Sequence, residues 1–241
     1  MSVSAISARH LDFKELNRQV RDINTDVEIN GCYGQRFIGS ALSGRTITIN
    51  GTPGNALGAY LDGGIIEVRG NAQDATGDTM NDGKIIIHGN AGDALGYAMR
   101  GGSIYVRDNA GYRAGIHTKE YKDKKPVIVI GGQTGSFLGE YLAGGLIIVL
   151  GIGCGEIPVG NFTGTGMHGG KIFIRTAAEL SKLPAQVTAQ IASEQDLSEI
   201  KPYVCEFGKY FNADADSLLN DRFYVLKPNA KNPYKQLYTA N

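Results

Sequence analysis

Two carboxylates nineteen residues apart, Asp74 and Asp93, are the pair in this sequence whose spacing invites chemistry. They occupy the same place in successive copies of a repeat, so stacking the copies would bring them together. Paired carboxylates can serve as the general acid and base of a carbohydrate lyase or hydrolase. The next position in their column is Tyr112, however, and Asn71, Asn90 and Asn109 form a parallel column beside them. Asp and Asn in such places typically bond neighbouring backbone, so a turn-stabilising ladder fits this pattern better than a catalytic pair.

The remaining reactive side chains are scattered. Cys154 sits in Gly151-Ile-Gly-Cys-Gly-Glu156, a loop with the backbone freedom of a reactive-thiol site, but no base stands beside it. Cys32 and Cys205 lie far from it and from each other, with no C-x-x-C spacing, which argues against disulfides, a self-contained zinc site or an iron–sulfur cluster. His117 and His168 fall in Gly-rich turns without a second metal-ligating residue at a suitable distance, and His10 lies near the N-terminus. His88 shares a column with Asn50, Arg69 and Arg107, which predicts an exposed strand position. The Gly-x-x-Gly-x-x-x-Gly strings lack the crossover helix of a dinucleotide fingerprint. The expectation is therefore no catalytic, cofactor-binding or metal-ligating residue.

What positions these residues is a repeat with a step of nineteen. Gly39, Gly58, Gly77, Gly96 and Gly115 form one column, and Ile47, Ile66, Ile85 and Ile104 a second. Each unit opens with alternating β-branched residues, from Val27/Ile29 through Ile66/Val68 and Ile128/Ile130 to Ile172/Ile174. Units this short, with no helical period, exclude propeller blades and helical or leucine-rich repeats. A parallel β-solenoid remains. Eight coils at the ~4.8 Å spacing of paired strands would make a rod of roughly 35–40 Å. The step lengthens between Gly115 and Gly139 through the charged insert Lys119–Lys125, and again after Gly139, where Gly160 is the next column member on spacing alone.

The flanks read differently. Asp12–Asp22 predicts a short amphipathic helix with Asp12 and Glu15 at capping spacing, placed to cover the open end of the array. Beyond Thr176, Ser193–Phe211 and Asn212–Asn220 read as helices and Arg222–Leu226 as a strand, a region suited to capping the far end, with an aromatic-containing tail from Pro228. The organisation expected is an N-terminal helical cap over 1–24, the array over 25–175, and a C-terminal cap and tail over 176–241.

Composition narrows the class. Acidic and basic residues balance at 24 each, giving no electrostatic case for nucleic acid or an anionic membrane. Glycine is 34 of 241 residues, yet 42% are hydrophobic, so the chain is turn-dense and ordered. There is no signal-peptide pattern and no long apolar run, which predicts a cytoplasmic protein with reduced thiols.

The strings Gly51-Thr-Pro-Gly54-Asn-Ala-Leu-Gly58, Gly89-Asn-Ala-Gly92-Asp-Ala-Leu-Gly96 and Gly132-Gln-Thr-Gly135-Ser-Phe-Leu-Gly139 carry the pattern that names the GXGXG family. Longer segments, Gly70–Gly83, Gly96–Gly102, Gly111–His117, Phe137–Gly145 and Gly164–Gly170, resemble the C-terminal domain of the large subunit of glutamate synthase, here as a free-standing polypeptide. The resemblance implies an all-β fold, a single-stranded right-handed parallel β-helix with a short N-terminal helix and a helical C-terminal cap. It further implies a non-catalytic scaffold subunit for glutamate biosynthesis. The implied partners are a class II glutamine amidotransferase subunit and an FMN-binding synthase subunit with an iron–sulfur cluster, both cofactors being on the partners. No nucleic acid or membrane partner is implied, and self-association stays open. This chain lacks an N-terminal nucleophile cysteine and a cluster-ligating Cys set, as a scaffold alone would. N-methylglutamate synthase is one alternative setting, and formylmethanofuran dehydrogenase, in which one component chain shares the repeat, is another. A solenoid enzyme acting on carbohydrate is the alternative from another class.

Overall fold

The computed structural model describes residues 2–229; the tail expected from Pro228 lies largely outside them. Eleven strands form one sheet: β1 (Val3–Ser7), β2 (Asp26–Tyr33), β3 (Thr46–Thr52), β4 (Asp62–Arg69), β5 (Asp82–Ile87), β6 (Ser103–Val106), β7 (Val127–Ile130), β8 (Ala143–Val149), β9 (Gly169–Arg175), β10 (Val187–Ile191) and β11 (Phe223–Pro228). Three helices join them: α1 (Phe13–Asp22), α2 (Glu194–Phe211) and α3 (Ala215–Asn220). From β1 to β9 every neighbour is parallel and in sequence order, one strand per coil of a parallel β-solenoid.

The inward columns are those the sequence predicts. Ile47 pairs with Ile66, Ile66 with Ile85, Ile85 with Ile104 and Ile104 with Ile128, and each is fully buried. Behind the strands each coil turns through three residues in the left-handed region. In one coil these are Ala56, Gly58 and Tyr60, at φ 60°, 63° and 59°. The outer two positions accept Phe37, Ala75, Ala94, Arg113, His117 and Phe137 at similar angles. The central one is always glycine, so conformation alone does not demand it. Clearance does. A Cβ on Gly96 would stand 2.5 Å from Ile128 Cδ1, and one on Gly115 2.4 Å from Ile147 Cδ1. From Gly39 to Gly139 the inward Ile of a later coil fills the hollow that glycine leaves.

These turns are held by an alternating ladder. Ala94 N–H donates forward to Tyr112 O at 2.8 Å and Ala98 N–H to Ile116 O at 2.9 Å, while Gly96 N–H between them donates back to Thr76 O at 2.8 Å. Gly164 N–H donates to Leu138 O just as Gly139 N–H donates to Ala114 O. Gly139 is therefore followed in its column by Gly164, not Gly160. The structure corrects the alignment made on spacing, because the insert Ile152–Pro158 lies before the turn and not within it.

Both ends are covered. α1 forms as predicted, with the Asp12 carboxylate accepting from Glu15 N–H at 2.8 Å, and buries Leu16 and Val20 in the main core. β1 is a strand that the sequence pattern does not announce, paired in register with β2. At the far end β11 pairs antiparallel with β9, and β10 with β11, closing the last coil's strand edge. α2 begins in a capping box, Ser193 with Asp196, and lies along the flank of the sheet. Its Ile200, Val204 and Phe207 join a second core with Ile86, Tyr105, Val129, Ile148 and Phe173. These sheet residues point outward, in the column that reads Glu28, Thr48 and Glu67 in earlier coils.

Carboxylates on α2 fasten it to that flank. Glu206 pairs with Lys84 and accepts from the hydroxyls of Tyr105 and Tyr210. Glu199 pairs with Lys125 at 2.7 Å and Lys171 at 2.6 Å, and Asp196 with Lys227 at 3.0 Å. Burial pushes the pKa of Glu206 up, but the donors Lys84, Tyr105 and Tyr210 outweigh it and hold it below the ordinary value. At Glu199 burial likewise pushes the pKa up, and the hydrogen bonds from Lys125 and Lys171 overcome it and hold it below the ordinary value.

Replacing Gly96 by Ala should cost about 2–4 kcal/mol in urea unfolding, combining overpacking with left-handed strain, whereas Ala94→Gly should change stability by less than about 1 kcal/mol. Equal effects would dissociate the glycine column from Ile clearance. Ile85→Ala should cost about 2–5 kcal/mol. The depressed carboxylates make the α2 attachment acid-labile: its contribution is complete above the unfolded pKa of about 4.3 and lost as pH falls through the lower folded values. In Glu206→Gln the stability deficit relative to wild type should shrink steadily below about pH 4, read by tyrosine near-UV circular dichroism.

Candidate functional site

The stacked carboxylates are brought together, and one oxygen of each is engaged by the next coil. Asp74 Oδ1 accepts from Asp93 N–H at 2.9 Å and Asp93 Oδ1 from Tyr112 N–H at 2.8 Å. Asn71 Oδ1 accepts from Asn90 N–H at 2.8 Å, Asn90 Oδ1 from Asn109 N–H at 3.1 Å, and Asn109 Oδ1 from Gln133 N–H at 2.9 Å. Each side chain ties its own coil to the next. This is the ladder that the spacing predicts, and it leaves the Asp pair in the role of turn fasteners.

The thiols and imidazoles are spread over the molecule. Cys154 Sγ lies 3.8 Å from Gln133 Oε1, in a small cleft with Glu156, Arg175 and Asp221. Cys32 is buried beside Gln35, and desolvation pushes its thiol up to about 11, away from the thiolate form. All three cysteines are free. His88 is half-buried rather than exposed. Its Nε2 meets Glu67 Oε1 at 3.0 Å and its ring meets Phe211 edge-on at 5.1 Å, because α2 ends against the strand column where solvent was expected. Among the described residues no group of three or more His, Cys, Asp or Glu is placed to hold a metal ion. No described helix is long and apolar enough to cross a membrane.

The surface feature built by the repeat is an aromatic band along the left-handed corners. Because the outer positions of each turn point away from the core, their side chains stack from coil to coil. Phe137 and Phe162 stack at 5.0 Å, with the Arg113 guanidinium 4.7 Å over Phe137. His117 stacks on Tyr141 at 5.1 Å and meets Tyr97 edge-on at 5.9 Å. Tyr112 and Phe162 are 54% and 56% exposed, well beyond what burial within this chain would leave. Aromatic residues and Arg in such a band are the kind that anchor protein interfaces. Of these residues the sequence singles out only His117; the signal that groups them is the shared offset of Arg113, Phe137 and Phe162 from the glycine column.

A second recess lies where the irregular parts of the chain meet. A cleft of about 650 Å³ separates the turn at Ile152–Gly153 from the α2–α3 junction. Phe207, Phe211 and Leu218 give it an apolar side, and the ion pair of Arg107 with Asp108 at 2.9 Å borders it. The insert after Gly139 thus forms one wall of a recess. The Lys119–Lys125 insert instead folds back, with Lys124 reaching Asp62 and Asp82 at 3.3 and 3.1 Å.

Known proteins share this architecture. The uncharacterized protein MJ1350 of Methanocaldococcus jannaschii is 43% identical over 257 aligned positions, which cover 100% of this chain and 98% of that protein. A chain of the formyltransferase/hydrolase complex FhcABCD from Methylorubrum extorquens, solved in complex with methylofuran, superposes with a TM-score of 0.63. That match covers 83% of this chain and 71% of the other at 22% identity, a likeness of fold. The GXGXG motif pattern matches residues 4–229, the span from the first strand to the last. By repeat, fold and sequence the chain belongs to the GXGXG motif family.

Proposed function

We propose that this protein is a non-catalytic structural subunit of a glutamate-synthase-like complex, holding a class II glutamine amidotransferase subunit against an FMN- and iron–sulfur-containing synthase subunit. The observation that carries the reading is the use to which the reactive side chains are put. Asp74 and Asp93 fasten coils, Cys32 is buried, and His88 packs under α2, while the exposed aromatic band has the composition of a docking surface. The segments from Gly70 to Gly83 and Gly164 to Gly170 point to the glutamate synthase setting within the family. FMN and the cluster belong to the partners in this reading, and the subunit works in the cytoplasm.

The fold likeness to a chain of the FhcABCD complex favours a second reading, in which the same kind of rod serves a formylmethanofuran dehydrogenase-type assembly. An N-methylglutamate synthase would use the rod as the first reading does, with a different amine acceptor. A carbohydrate-active enzyme finds little support in Asp74 and Asp93, each of which gives its Oδ1 to a backbone N–H of the next coil.

Tagging the chain in its native source and identifying what co-purifies separates these readings. An amidotransferase together with an FMN protein is the expected result; components of a formylmethanofuran-type complex would transfer the rod to the second reading. Recovery of the chain alone would sink both. Asp93→Ala should lower stability by about 1 kcal/mol through loss of its ladder bond, without altering the activity of a reconstituted complex.

A further inference from the structure

The coil that carries β3 departs from the later repeats at one position. In register, the residues at this position are Thr25, Arg45, Gly64, Gly83, Gly102, Pro126, Gly145 and Gly170, so that glycine dominates only after Arg45. A Cβ on Gly83 would stand 2.2 Å from Gly64 O, and one on Gly170 2.9 Å from Gly145 O, because the preceding coil lies directly beneath. Arg45 escapes that constraint by facing α1 instead of a glycine of an earlier coil. Its Nη2 donates to Val20 O at 2.7 Å, which helps hold the helix. That bond uses one of five guanidinium N–H donors. Nη1 is buried with no partner among the described residues, and no carboxylate there lies within ion-pairing distance of the side chain. A buried, unpaired donor on a cation is costly, so its persistence calls for a compensating group.

The space beside it can admit one. Arg45 lines a cleft of about 470 Å³ between α1 and the first turn, together with Arg21, Asn24, Ser43 and Gly44. No carboxylate side chain is in that lining. The side chains of Arg21, Asn24 and Ser43 make no hydrogen bond or ion pair with described residues, and the backbone N–H groups of Ser43, Gly44 and Arg45 make none to the described backbone. Gly44 has φ 67°, a left-handed residue of the kind that backbone anion-binding concavities contain. Two guanidinium groups, hydroxyls and an amide thus line one recess that holds no negative charge to pair with them.

We propose that the cleft between α1 and the Ser43–Arg45 loop binds a small oxyanion, a carboxylate or phosphate group, clasped between Arg45 and Arg21. The planar fork of Arg matches either group, and a slight turn of the Arg45 side chain would present Nη1 to it. Such an anion would link the first helix to the first coil. The site is separate from the aromatic band and does not depend on which complex the rod serves.

The test is thermal unfolding of the full chain with inorganic phosphate, succinate or sodium chloride at matched ionic strength. Phosphate or succinate should raise the melting temperature with the logarithm of its concentration above the dissociation constant, by about 2–5 °C at tenfold excess, while chloride should not. A response to only one of the two assigns the ligand class. Arg21→Gln, at an exposed position, should leave melting in chloride unchanged and weaken binding about tenfold; Arg45→Gln should abolish the shift. Equal responses to all three salts, or undiminished shifts in both variants, would overturn the proposal.

Discussion

The distance between successive coils governs this molecule. Parallel strands lie about 4.8 Å apart, and every side chain turned inward must share that layer with the turn opposite it. Glycine in the middle of each turn removes the Cβ that would collide with the next coil's Ile, so the core closes along the whole rod. The same spacing sets the Asp and Asn ladders, since a short side chain in one coil reaches the amide of the next. It also sets the stacking of Phe137 on Phe162 and His117 on Tyr141.

One fixed spacing thus yields three different surfaces. Inside, it produces a dry column of Ile, Val and Leu. At the corners it produces polar ladders and stacked rings. On the flank it offers a sheet face whose character depends only on which residues occupy the outward column. Glu28, Thr48 and Glu67 leave that face wet, while Ile86, Tyr105, Val129, Ile148 and Phe173 make it a second core for α2.

The inward columns were legible in the sequence because period two and a constant step leave a mark at each coil. α1 and α2 were legible from their caps and stripes. The ends were less so. β1 is short and half polar, and β10 contains Thr188 and Gln190, so neither stands out from loop. The flank position of α2 was written in the outward column, where polar residues give way to apolar ones, but a search for repeats weighs only what stays constant. Gly160 misled for a related reason: glycine is required at more than one place per coil, and spacing alone cannot tell the core hollow from a close backbone approach. For the site, the Asp ladder could be read in advance. Arg45 could not, since its meaning lies in breaking a column visible only once strands are in register.

α2 packs on the outward apolar residues of β5 through β9, in a column that is polar on β2 to β4. Repeat arrays unfold by losing coils from their ends, unless something spans several at once. Here one helix, closed by β11 and β10, clamps the later coils into a single cooperative block, and the earlier coils depend on nearest-neighbour contacts and on α1. The rod is accordingly a stiff bar joined to a softer one. A change at the α1 end can loosen the first coils while the block under α2 keeps its shape.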